Sequence, residues 1–293
     1  MSGAQAALLA DGRRLHLQHG PIDLVIEADG DANEVRLAYD QATDRFGAVL
    51  EELVEELPIL RRPAEPDSHG VTGPVARRMA TAAALFLPAF VTPMAAVAGA
   101  VAEEILGVMI AGRTLRRAYV NNGGDIALHL AAAAVFDVGV VARPDRPELI
   151  ATLKVAATDD VRGVATSGRH GRSLSLGIAD SITVLAGRAS VADVAATLIA
   201  NAVDLPTSKV IRRRPARELD PDSDLGDRLV VTEVGRLSDR DIEAAVAAGL
   251  ALARRFRCAG LIRSAAICLG DSVRILEDRP AADIQQPAAV LAG

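Results

Sequence analysis

The chain has 293 residues, of which half are apolar and 24% are charged, a globular composition that excludes a disordered or low-complexity chain. Its net charge of −6, from 32 basic and 38 acidic residues, argues against general nucleic-acid binding, which draws its affinity from phosphate neutralisation. Two cysteines, Cys258 and Cys268, are too few for a disulfide framework or a cysteine metal cage and fit a reduced, cytoplasmic protein.

Leu15 and Leu17 alternate with polar residues, Gly20-Pro21 makes a turn, and Ile22, Leu24 and Ile26 alternate again, so residues 13–29 read as a β-hairpin. Asp31 with Glu34 forms a capping box for a helix to about Leu57, carrying Val35, Tyr39, Ala42, Phe46, Leu50, Leu53 and Leu57 at helical spacing. Residues 58–75, marked by Pro58, Pro63, Pro66, Gly70 and Gly73, read as a long loop. Met79 to Val101 is free of charge and long enough to span a bilayer. Its richness in Ala, its Pro88 and Pro93, and the absence of an aromatic belt favour two buried helices broken near Val91-Thr92-Pro93, with no membrane contact. The N-terminus lacks the basic start and apolar run of a signal peptide.

Strands are expected over 114–142, around Asn121-Asn122-Gly123-Gly124-Asp125, then as a pair near 148–157 and 161–167, and again at Ser181 to Leu185. A helix follows from about Ser190 to Ala202. Residues 205–227 read as a linker of prolines and both charge signs, in which Arg212-Arg213-Arg214 is a solvated charge run. A helix after Ser238, with Asp241 in its first turn, ends near Gly260, and a strand pair over 261–276 leads into a tail, 281–293, expected to fray. Strands in runs with helices between them predict an α+β fold of layered mixed or antiparallel sheets over buried Ala-rich helices. We expect one domain over 1–280, of two closely packed halves. The two tyrosines, five phenylalanines and absent tryptophan mean that its core is built from small aliphatic residues.

Three segments can carry chemistry. In Asn121 to Asp125, paired glycines allow close backbone approach and Asp125 can hold a ligand hydroxyl or ring nitrogen, although taken alone the segment reads as a hairpin turn. In Thr166-Ser167-Gly168-Arg169-His170-Gly171-Arg172-Ser173, hydroxyls, backbone amides and guanidinium groups suit a phosphate, against the plainer reading of a solvated turn. His170 has no partner visible in the sequence. Asp193 and Thr197, four residues apart, share one face of an apolar helix and can hold a hard cation such as Mg²⁺. The plainer alternative makes Asp193 a first-turn acid favoured by its helix dipole, with Thr197 bonded to a carbonyl.

The order of these motifs resembles the ApbE-like superfamily, best known for FAD:protein FMN transferases. The matching residues are Val97 to Ala102, Asn121 to Asp125, Ala165 to Gly168, Ser181 to Val184 and Ala192 to Leu198. The resemblance implies that Asp193 and Thr197 hold Mg²⁺, together with a backbone carbonyl around Ala98. A closer resemblance, over roughly residues 10–275, is to an uncharacterised protein family branching from that superfamily. It rests on Thr166, Ser167, Gly168, Gly171, Ser173, Ser175, Gly177, Ala179, Asp180 and Asn201, on Leu237-Ser238, and on Gly260-Leu261-Ile262-Arg263.

Two departures separate this chain from the transferases. Residues 95–102 hold only Ala, Val and Gly where the transferases carry a Lys. The twelve residues 169–180 contain no His-x-x-Asp-Pro-x-x-Gly motif, and His170 falls too early to replace its histidine. The expected function is therefore a Mg-assisted, transferase-like enzyme or binder of a flavin (FAD or FMN), a nucleotide or a pterin, and not a standard FMN transferase. Its small-molecule ligand would meet Met94, Gly99, Asn122, Gly123, Gly124, Asp125, Thr166, Ser167, Gly168, Arg169, Ser173 and Ser175, with Tyr119 a further substitute for an aromatic platform. The alternatives are a non-catalytic ligand-binding or assembly protein on the same fold, and a protein of one-carbon pterin cofactor synthesis. The Ala-rich helices also suit the close interface of a homodimer.

Overall fold

The computed structural model describes residues 3–67, 70–141, 149–171 and 173–276. The expected frayed tail lies outside them. The chain opens with β1 (Gln5–Leu8), β2 (Leu15–His19) and β3 (Ile22–Gly30), all antiparallel neighbours. The hairpin expected from residue alternation is β2–β3: Leu15, Leu17, Ile22, Leu24 and Ile26 are all buried on one face, and Gly20 turns the chain at φ +57°. Each such side chain contributes about 1.5–3 kcal/mol when fully buried.

The first helix, α1 (Ala32–Leu60), is longer than its periodicity indicates. Asp31 caps it by accepting from the Asn33 amide, but Glu34 does not complete a capping box. Its carboxylate reaches instead to the Thr114 amide at 2.8 Å and to Arg113 at 3.3 Å. Pro58 lies inside the helix rather than opening the loop. The carbonyl it leaves without a donor belongs to Val54, which lies on the exposed side of the helix. The loop runs only from Arg61 to Gly73.

Two helices then follow as expected: α2 (Pro74–Ala84) and α3 (Val97–Ile110), the latter entered through a 3-10 turn, Pro93–Ala96. Among the described residues, Pro93–Ile110 is long and apolar enough to cross a membrane, and with 56% of it buried inside the fold it has the character of a core helix.

The remaining strands of the main sheet are β4 (Leu115–Asn122), β5 (Asp125–Leu130), β8 (Gly163–Ser167), β9 (Ser181–Ala186), β12 (Ser264–Leu269) and β13 (Ser272–Leu276). Its order is β1-β2-β3-β4-β5-β8-β9-β12-β13, and every described pairing is antiparallel. The fold is α+β, with the helices segregated to one face of this sheet. The strand pair expected near 148–167 does not form. β7 (Leu149–Ala156) pairs with β6 (Val135–Val141) as a separate ribbon, and β8 goes into the main sheet between β5 and β9. That ribbon covers the other face through a second apolar cluster around Leu128, Leu130, Val138, Val155, Val164 and Leu185.

Helix α4 (Ala189–Ala202) lies in the main apolar cluster between the sheet and the other helices. The stretch 205–227 is more ordered than a linker. It holds β10 (Ile211–Pro215) and the short α5 (Ala216–Leu219), and β10 pairs with β11 (Leu229–Val234). The three arginines stand on β10, each beside an acid: Arg212 by Glu233, Arg213 by Asp204 and Arg214 by Glu218. Last comes α6 (Asp239–Cys258), started by a complete capping box between Ser238 and Asp241.

Small residues bring α3, α4 and the sheet unusually close. A Cβ added at Gly99 on α3 would sit 2.4 Å from the Ala189 carbonyl oxygen, and one at Gly163 on β8 would sit 2.2 Å from the Ala189 nitrogen. The first residue of α4 is thus held between two glycines.

Candidate functional site

Asn122 and Asp125 face each other across the β4–β5 turn. Gly123 (φ +65°) and Gly124 (φ +113°) make that turn tight, and the Asn121 side chain accepts from the Gly124 amide at 2.8 Å. Because side chains alternate along a strand, Asn122 and Asp125 share the face of Ala118, Val120 and Ala127, which looks onto the helices. Asn122 Nδ2 donates to the Ala98 carbonyl at 3.2 Å. Asp125 accepts from the Thr166 amide at 3.2 Å.

Asp193 reaches the same place from α4. It is the fifth residue of its helix, so the dipole it meets is not its own. Its carboxylate accepts from the Gly99 amide at 3.0 Å and from that of Ala98, and so closes the N-terminus of α3. Glu103 of α3 does the same for α4, accepting from the Ser190 amide at 2.8 Å, the Ser190 hydroxyl at 2.9 Å and Arg188 at 3.0 Å. Each helix is capped by a carboxylate of the other.

Burial dominates the electrostatics. It pushes the Asp193 carboxyl up to about 7, against the lowering effect of the Gly99 and Ala98 amides. It pushes Asp125 well above the usual carboxylate range, with the Asp193 charge adding to the rise and the Thr166 amide opposing it. Each carboxyl thus disfavours the charge of the other, and a proton or a cation between them eases that repulsion. Thr197 stands one turn further along α4, half-buried, and Met94 is half-buried on the 3-10 turn against the main core.

The segment after β8 is divided by the pleat. The Thr166 amide is at the site, but its hydroxyl points to the opposite face and meets the Thr183 hydroxyl at 3.1 Å. Ser167, one residue on, lies on the helix face. Gly168 (φ +153°) leaves no room for a side chain: a Cβ there would lie 2.4 Å from the Asp180 carbonyl oxygen. Arg169 and His170 both turn onto buried Asp180, at 2.6 Å and 3.0 Å, and its second oxygen accepts from the Gly270 amide at 2.7 Å. His170 therefore has a partner, contrary to the sequence reading. Ser173 is exposed. Ser175 is buried and its hydroxyl folds back to the Gly177 carbonyl at 3.0 Å.

The residues gathered here by hydrogen bonds through the Ala98–Gly99 backbone and the Thr166 amide, and by the charge coupling of the two acids, are thus Gly99, Asn122, Asp125, Thr166 and Asp193. Arg169 and Ser175 are engaged elsewhere. Asp180 was not among the expected site residues, although Ala179-Asp180 was its visible signal. Tyr119 packs against Phe136 on the ribbon side of the sheet and cannot face this site. Two surface cavities, of about 600 Å³ by Arg212, Arg213 and Arg214 and about 260 Å³ by Arg77, Arg78 and Arg188, are not lined by the carboxylate pair.

Known proteins resemble this sequence over part of its length. The chain is 41% identical over 128 residues to a UPF0280 protein of Methanopyrus kandleri, covering 43% of this chain and 48% of that one. It is 39% identical over 132 residues to a UPF0280 protein of Methanothrix thermoacetophila, covering 44% and 52%. The chain thus spans about half the length of these relatives. Among solved structures it is similar to the flavinyl transferase ApbE of Pseudomonas stutzeri in its apo form, at 13% identity and a TM-score of 0.40 over 93% of each chain. It is also similar to the flavin transferase ApbE of Vibrio cholerae, at 11% identity and a TM-score of 0.41 over 93% of this chain and 97% of that one. A family model described as AbpE bacteria matches residues 6–275, nearly the whole length, and the chain belongs to that family.

Proposed function

We propose that this protein binds a flavin-, nucleotide- or pterin-type cofactor, with a divalent cation such as Mg²⁺ bringing the ligand's phosphate to Asp193 and Asp125. The observation that carries this reading is the carboxylate pair: two acids from different elements meet in a desolvated place, where burial raises both and the charge of Asp193 raises Asp125 further. The donor set fits a hard cation, since both carboxylates and the adjacent Ala98 carbonyl offer oxygen. When bound, Mg²⁺ would neutralise the pair and take phosphate oxygens. Asp125 and Asp193 would hold it, Gly99 and Asn122 would fix their positions, and Thr197 would stand one turn away to complete the set. Family membership supports a flavin-related role. The missing Lys in 95–102 and the missing His-x-x-Asp-Pro motif argue against standard FMN transfer to a protein.

A second reading, a non-catalytic ligand-binding or assembly protein, is favoured by one observation. Capping α3 already gives Asp193 a structural task that needs no metal. Thermal unfolding of the purified protein with FAD, FMN, ADP or a reduced pterin, each with and without MgCl₂, separates the two. A stabilisation that needs both Mg²⁺ and one of these ligands, and that disappears in Asp193→Ala, is expected. No shift with any combination would remove the cofactor reading and leave the assembly role.

A further inference from the structure

Helix α4 packs against α3, α6, β8 and β9, and ten of its fourteen residues are buried. Solvent reaches Asp193, Thr197, Asn201 and the last residue, Ala202. The three polar ones recur at every fourth position. Eight helical residues advance about 12 Å and return to within roughly 80° of the starting direction, so the three side chains form one strip along the helix. An otherwise apolar core helix is thus open to water along a line of carboxylate, hydroxyl and carboxamide.

The strip is polar, yet the protein does not satisfy it from within. The Thr43 hydroxyl on α1 bonds back to the Tyr39 carbonyl at 2.9 Å, but that of Thr197 has no partner among the described residues. Asn201 Oδ1 accepts from the Leu176 amide at 3.1 Å, which fixes the carboxamide, and its Nδ2 donates to no described residue. Both groups meet solvent, since the buried unpartnered polar atoms of the described residues are His19 Nδ1, Glu56 Oε2 and Arg113 Nε. The helix turn that carries Asn201 is clamped. A Cβ at Gly177 would lie 2.1 Å from the Ala200 carbonyl oxygen, and the Ile178 amide donates to the Val203 carbonyl at 2.8 Å. Asn201 therefore presents a donor whose position is set before any ligand arrives.

The other end of the strip is the carboxylate pair, where Asp193 meets the Gly99 amide. We propose that Asn201 is a specificity-determining residue of this site: its Nδ2 donates to a ring carbonyl oxygen of the ligand whose phosphate is held at Asp193 and Asp125. The proposal rests on the cofactor reading above and adds the group that recognises the ligand's far end. A fixed neutral donor favours a heterocycle with a carbonyl edge, because a ring without one leaves the N–H unpaired when it displaces water. Flavins and pterins carry such an edge, and adenine does not.

The test is equilibrium binding of FMN to the full chain in MgCl₂, with ADP as a phosphate-bearing ligand that has no ring carbonyl. The wild type is expected to bind FMN more tightly than ADP. Asn201→Asp keeps the acceptor for the Leu176 amide and replaces the donor by a negative charge. It is expected to weaken FMN binding about thirtyfold and ADP binding by about threefold or less, with the ligand-free melting temperature unchanged. Asn201→Ala is expected to weaken FMN binding about tenfold. Should Asn201→Ala fail to fold, Asn201→Asp still decides the matter. Should a reduced pterin bind and FMN not, the same comparison is made with the pterin. Unchanged affinity in Asn201→Asp, equal losses for both ligands, or a wild type that prefers ADP overturns the proposal while the cofactor reading stands. Wild-type protein that binds none of FMN, FAD, ADP and a reduced pterin, with or without Mg²⁺, overturns both.

Discussion

Without a divalent cation, the protein should lose stability as pH rises from about 4 to about 7, the reverse of ordinary acid denaturation. The carboxyl of Asp193 is held up at about 7, from an ordinary 3.8, and that of Asp125 is also raised, chiefly by burial. Over this interval the folded chain keeps protons that the unfolded chain has released. The stabilisation is thus complete below the unfolded value and is lost as pH climbs through the folded one. Its size is on the order of 2–4 kcal/mol, allowing for the partial access of Asp193 to solvent. Carboxylates with lowered values, such as Asp29 and Glu56, work in the opposite sense but at the acid end, below their ordinary range. Melting temperatures across this window should therefore descend in the wild type, and MgCl₂ should restore the loss at the alkaline side. Asp125→Asn keeps an oxygen for the Thr166 amide but removes one ionisable group, and should flatten the descent. A level profile in the metal-free wild type would mean that the two carboxyls are better solvated than their surroundings imply.

Gly99→Ala and Gly163→Ala should be among the most damaging single-methyl changes in the molecule, each costing about 3 kcal/mol or more. The reason is the partner that the new methyl meets. At both positions it would stand within 2.4 Å of backbone atoms of Ala189, where no side chain can swing aside. Helix α4 would have to withdraw from α3 in one variant and from β8 in the other, opening the place where Asp193 meets Gly99. Gly47 gives the control. It is exposed on α1, and a methyl added there would have nothing within 4 Å, so Gly47→Ala should stabilise by about 0.5–1 kcal/mol through helix propensity. Urea unfolding midpoints of the three variants test the contrast. Gly99→Ala near the wild-type midpoint would show that α3 and α4 can separate at little cost.

Much of this architecture is legible in the residue pattern because period and burial coincide. The β2–β3 hairpin, the break at Pro93, and the α4 and α6 boundaries all follow from alternation, helical spacing and caps. What escaped did so for physical reasons. Pro58 could be accommodated because the hydrogen bond it removes lies on the exposed side of the helix. The strand β10 hid in a run of arginines because a two-stranded ribbon with ion-paired faces needs no apolar alternation. The pairing of β7 with β6 rather than β8 is a long-range choice that no local signal carries. At the candidate site, Asp125, Thr166 and Asp193 share one hydrogen-bonded neighbourhood, but their spacing in the chain is too large for local rules to join them. Nor could the sequence say which of Thr166 and Ser167 would face the helices, since a strand sends adjacent residues to opposite sides.

The exchange of carboxylates between α3 and α4 has a further consequence. A helix end normally opens first, because its leading amides have only water or a local side chain to hold them. Here the first turn of α3 depends on a residue midway along α4, and the first turn of α4 depends on a residue midway along α3. Neither helix can fray alone without breaking contacts of the other, so the two open and close as one cooperative unit. A ligand that draws Asp193 away from the Gly99 amide would consequently be felt at both ends of that unit, and binding at the ends of the central strands would loosen or tighten two core helices together.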